Sequence, residues 1–81
     1  AMGVLLDVVK VETRADHILL LEFENGERRL FDMTPYLQRK PYLPLNDPPV
    51  FAEAALAYGT VVWPGDLDIA PETLYDRSMP L

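Results

Sequence analysis

His17 to Phe31 reads HILLLEFENGERRLF, and the fold turns on how this stretch is folded back on itself. Leu19, Leu21 and Phe23 recur at every second position, the period of a strand with one buried face. Asn25-Gly26 then separates two extended runs, and such a pair favours a two-residue turn because both residues tolerate positive φ. A turn of that length predicts that Glu22 faces Arg29 and Leu21 faces Leu30, with a cross-strand ion pair worth about 0.2–1 kcal/mol. Leu20 with Phe31 on one side and Leu21 with Leu30 on the other then imply cover on both faces, by helices on one and by a second subunit on the other.

Outward from the hairpin, LLDVVKVET from Leu5 to Thr13 carries three β-branched valines and is expected to form a preceding strand, with Arg14 to Asp16 as the break. On the other side, Thr34-Pro35 is a helix start and Lys40-Pro41 a stop, so a helical piece of one or two turns is expected there. Asp47-Pro48 repeats the start signal. Val50, Phe51, Ala54, Ala55 and Tyr58 follow at three- and four-residue spacing, which predicts the main helix, ended at Gly59. Thr60 to Trp63 reads as a last short strand, cut off by Pro64-Gly65, and Pro71 to Tyr75 as a terminal helical turn. The expected class is α+β: a small antiparallel sheet, made of a three-stranded meander plus a short later strand, packed against one main helix and short helical turns. A single domain over residues 4–76 is expected, with Ala1 to Gly3 a cloning remnant or processed start and residues 77–81 a flexible tail.

A chain of 81 residues, 49% of them hydrophobic, has material for one core and hides roughly 60–65% of its unfolded surface, so its stability is marginal without reinforcement. Cysteine is absent, which removes disulfides, thiolate zinc sites and cysteine nucleophiles and fits a cytoplasmic setting. The formal charge of −6 opposes nucleic acid and favours basic partners, and it also keeps a small domain soluble. No run approaches the ~20 apolar residues of a membrane span, and Glu22 interrupts the longest one.

Candidate chemistry is sparse. His17 is the lone histidine and is expected to be solvent-exposed or hydrogen-bonded rather than a metal ligand. Ser78, the lone serine, falls in the expected tail and makes a poor nucleophile. Asp66, Asp68 and Glu72 supply oxygen donors for magnesium or calcium, but ordinary turn and helix-capping roles are the far commoner use of such residues and no EF-hand spacing is present. The few glycines form no phosphate-cradling cluster. Arg28-Arg29 and Arg39-Lys40 are the basic doublets, and Trp63 and Tyr75 belong to the aromatic types enriched at interfaces.

FENGERRLFDMTPYL from Phe23, VFAEA from Val50 and VVWPGDLDIAPETLY from Val61 resemble, over nearly the whole chain, the bacterial domain-of-unknown-function family twenty-four forty-two (DUF2442). The Trp63-Pro64-Gly65-Asp66 junction is one residue shorter than the family's form. The resemblance implies signature positions at Phe23, Gly26, Asp32, Pro35, Trp63, Asp68 and Leu74, each with a structural role, and carries over no catalytic residue. It also implies small free-standing proteins, or modules joined to a helix-turn-helix domain, often encoded in a toxin–antitoxin-like arrangement. No such DNA-binding extension is expected in this chain. The function expected is therefore a small acidic protein-interaction module, non-enzymatic and without cofactor, that forms a homo-oligomer or binds a small basic protein as the antitoxin-like half of a pair. Arg28, Arg29, Trp63, Asp66, Asp68 and Tyr75 are the expected contact residues. The alternative is a small metal-dependent hydrolase using Asp66, Asp68 and Glu72.

Overall fold

A computed structural model describes residues 6–81. In strand β2 (Ile18–Phe23), Leu19, Leu21 and Phe23 are all fully buried as their alternation requires. It lies between β1 (Val8–Arg14) and β3 (Arg28–Asp32), all antiparallel. Leu5, where the first strand was expected to begin, and the expected remnant at residues 1–3 lie outside the described residues.

The β2–β3 turn has three residues rather than two. The Gly26 N–H donates to the Phe23 carbonyl and the Phe23 N–H to the Glu27 carbonyl, both at 2.8 Å. Of the Asn-Gly pair only Gly26 takes a positive φ, 90°. Asn25 instead accepts the Glu27 N–H on its side-chain oxygen at 3.0 Å, a local turn that competes with the left-handed conformation. The extra residue makes the bulged three-residue hairpin and shifts the register by one. Glu22 thus faces Arg28, Leu21 faces Arg29 and Leu20 faces Leu30.

The expected α+β fold with a main helix is corrected to a small β-rich fold: seven strands in two sheets and two short helices among the described residues. The helix predicted from Asp47 to Tyr58 stops after one turn, α1 (Pro48–Phe51), and the chain becomes β4 (Ala55–Ala57), paired with β5 (Thr60–Trp63). Two contacts decide this against alanine's helix propensity. The Phe51 carbonyl, which a continuing helix would offer to the Ala55 N–H, accepts the Trp63 indole N–H at 3.0 Å, and the two rings stack at 6.0 Å. Tyr58 and Gly59, at φ 56° and 75°, then form a two-residue turn with both central residues left-handed, the type I′ geometry expected of hairpins. Gly59 is a turn residue here, not a helix cap.

Strand β6 (Leu67–Ile69) completes the second sheet, in the order β4-β5-β6. The Thr34-Pro35 start yields one 3-10 turn, Thr34–Tyr36, and its first N–H is held by the Asp32 carboxylate at 2.9 Å rather than by a Thr34 cap. The expected terminal turn is α2 (Pro71–Asp76), with Leu74 fully buried. Residues 77–81, expected as a tail, carry β7 (Met79–Pro80), which pairs with β3 and gives the first sheet the order β1-β2-β3-β7. Proline is tolerated there because β7 is an edge strand.

Leu19, Leu21, Phe23 and Phe31 from the first sheet and Val61, Trp63, Leu67 and Ile69 from the second belong to one buried cluster, to which α2 adds Leu74. Each such side chain contributes about 1.5–3 kcal/mol of transfer free energy. The Val8 N–H donates to the Gly59 carbonyl at 2.9 Å, joining the two sheets at one end.

That junction gives the first prediction. A Cβ on Gly59 would lie 2.5 Å from an Asp7 carboxylate oxygen, at a backbone conformation already costly for alanine, whereas a Cβ on Gly65 (φ 89°) would meet open space. Gly59→Ala should lower the unfolding free energy by about 1–3 kcal/mol, and Gly65→Ala by about 1 kcal/mol. Urea unfolding followed by circular dichroism measures both.

Candidate interaction surface

Because Leu19, Leu21 and Phe23 point into the core, Ile18, Leu20 and Glu22 lie on the opposite face of the first sheet. The corrected register builds that face in rows. Leu20, Leu30 and Met79 stand side by side across β2, β3 and β7, with Glu12 of β1 at one end. Lys10, Glu22 and Arg28 form the row on one side, and Arg14, Ile18 and Asp32 the row on the other. An apolar stripe is thus flanked by rows that each carry both signs of charge. Met79 is 69% exposed, and Leu20 and Leu30 are partly so. Beside it, a cleft of about 540 Å³ runs between β1 and the start of β4, with Val9, Val11, Leu20, Arg28, Ala55 and Leu56 in its walls.

The six expected contact residues do not form one site. Arg28 lies on the outer face, 3.8 Å from Glu22. Arg29, one position on, turns toward the core side, and its side chain is only 13% exposed. Its Nε–H donates to the Ser78 hydroxyl at 2.6 Å, another guanidinium N–H donates to the Ser78 carbonyl at 3.0 Å, and the guanidinium lies 4.5 Å over the Tyr75 ring. The Tyr75 hydroxyl donates to Glu27 at 2.5 Å while its ring meets Phe23 edge-on. Arg29 and Tyr75 therefore anchor the chain end to the hairpin, and Ser78 is a buried part of that anchor rather than a frayed residue. Trp63 is in the core. Asp66 sits in the β5–β6 turn at φ 62°, and Asp68 faces outward on β6, where its carbonyl accepts the Tyr42 hydroxyl at 2.8 Å.

Among the described residues no group of three or more histidine, aspartate or glutamate side chains is placed to hold a metal ion. Asp66, Asp68 and Glu72 fall on a turn, a strand and the first turn of α2. His17 is neither solvated nor hydrogen-bonded at Nε2, which is buried without a partner, and its ring packs edge-on against Phe51 at 4.9 Å. Sequence reasoning missed Met79 and the Leu20–Leu30 pairing. The signal that finds the pairing is the preference of Gly alone for the left-handed position of a bulged turn.

Among the described residues three titrating groups are shifted. The Tyr75 hydrogen bond, then Asn25 and Arg29, hold the Glu27 carboxyl below its ordinary value. The same bond raises the Tyr75 phenol, and burial followed by the Asp68 charge raises that of Tyr42.

The architecture defines a class of small two-sheet β-rich protein with a mixed-charge, apolar-striped outer face. The chain belongs to the family described as Protein of unknown function (DUF2442), whose model matches residues 8–80. No curated protein and no solved structure matches it. No helix among the described residues is long and apolar enough to cross a membrane.

Two outcomes follow for the anchor. Ser78→Ala leaves the Arg29 guanidinium short of a partner and should cost about 1–3 kcal/mol in urea unfolding. The Glu27 contribution to stability is present above the unfolded value near 4.5 and is lost as pH falls through the lower folded value, so Tyr75→Phe should flatten this acid limb when unfolding midpoints are measured against pH.

Proposed function

We propose that this protein is a non-enzymatic protein-interaction module that acts in the cytoplasm through the outer face of its four-stranded sheet. The observation that carries this reading is the Leu20–Leu30–Met79 stripe, set between rows of mixed charge. A stripe of this kind, rimmed by polar residues, suits a protein partner, and both signs on the rim select orientation. β1 is an edge strand of the same sheet, and the partner is either a second copy or a small protein chain. The net charge of −6 makes a basic partner the favoured occupant, consistent with the neutralising half of a two-protein pair, and makes nucleic acid a poor one.

Light scattering after size-exclusion chromatography, on protein purified from its natural host, tests this. A stoichiometric assembly heavier than the 9.2 kDa chain is expected, and Met79→Lys and Leu30→Lys should dissociate it while leaving circular dichroism unchanged. Added salt weakens a complex with a basic chain and strengthens one between two like-charged copies. A single monomeric species, with no stoichiometric companion at low or high salt, would remove the basis for an interaction module.

A further inference from the structure

Beyond the Asp32 end of β3, a second cleft of about 730 Å³ opens between the turns of residues 34–42 and helix α2. The arginines single it out. Arg14, Arg28 and Arg29 each have a carboxylate within 3.4–3.8 Å, whereas Arg39 and Arg77 have none among the described residues. Both of these line this one cleft.

Arg39 is nonetheless positioned. Its guanidinium lies 5.3 Å over the Tyr36 ring, which itself stacks on the fully buried Phe31 at 5.5 Å and 23°. A guanidinium that meets an aromatic ring and no carboxylate keeps N–H donors for a ligand, and its planar fork matches two oxygens of a carboxylate or phosphate. Tyr42 meets Tyr36 edge-on at 6.4 Å, and its hydroxyl is tied to the Asp68 carbonyl, so the wall beside Arg39 is stiff. Arg77 approaches from the C-terminal end of α2. Asp32 also lines the cleft, but one of its oxygens already accepts the Thr34 N–H. Among the lining residues two arginines stand against one aspartate, on a chain whose overall charge is −6.

We infer that this cleft binds a small phosphate monoester: Arg39 and Arg77 hold the phosphate oxygens, and the organic group rests on the Tyr42, Pro35 and Ile69 wall. Paired arginines give the oxyanion two charge-assisted contacts, and the apolar wall distinguishes an ester from the free ion.

Calorimetric titration of the full chain at low ionic strength, with phenyl phosphate and with inorganic phosphate as probes, tests the assignment. Saturable binding of phenyl phosphate is expected, tighter than that of inorganic phosphate. Arg39→Gln and Arg77→Gln should each weaken it by about tenfold, the scale of one charge-assisted contact. Arg39→Lys should also weaken it, because lysine keeps the charge but loses the planar fork of donors. The inference is overturned if phenyl phosphate shows no saturable heat, if both glutamine variants bind as the parent does, or if inorganic phosphate binds as tightly as the ester.

Discussion

The positive φ of Gly26 decides which side of the sheet every residue of β3 occupies. With three residues in the turn, Arg29 falls on the core side and reaches Ser78, while Arg28 falls outside and reaches Glu22. A two-residue turn would exchange them, expose Phe31 and leave the chain end without its anchor. Because strand side chains repeat every two residues, one residue of slip inverts the whole strand. The anchor of β7, the stripe of the outer face and the burial of Phe31 against Tyr36 all follow from this one bend.

The legible parts of the fold were those with local causes. Leu19, Leu21 and Phe23 were readable because alternation needs no partner to be recognised, and α2 because proline and glutamate favour a helix start. The main helix was misread because Val50, Phe51, Ala54 and Ala55 satisfy helical spacing by themselves. What overrides them is the indole N–H of Trp63, twelve positions along the chain from Phe51, and such long-range competition leaves no periodic trace. Tyr58-Gly59 was a turn signal hidden by that periodicity. The end of the chain was misread for a similar reason, since Ser78 gains its partner only once Arg29 is placed.

The candidate surfaces divide along the same line. Of the expected contact residues, Arg28 comes to the outer face only through the three-residue turn, and Arg29, Trp63 and Tyr75 are structural groups. Types enriched at interfaces are also the types a small core needs, so composition alone does not separate the two uses. Leu20, Leu30 and Met79 become a surface only when three strands are laid side by side. Arg39 gains its meaning from meeting the Tyr36 ring rather than a carboxylate.

The contact between Trp63 and Phe51 also gives the molecule an internal reporter. Trp63 is the only tryptophan, is 3% exposed, and binds the carbonyl at which α1 gives way to the second sheet. Its fluorescence therefore comes from the joint between helical turn and strand and from no other place. A red shift of the emission marks water reaching that joint, so loosening of the second sheet is visible optically even while the β1–β3 meander stays intact.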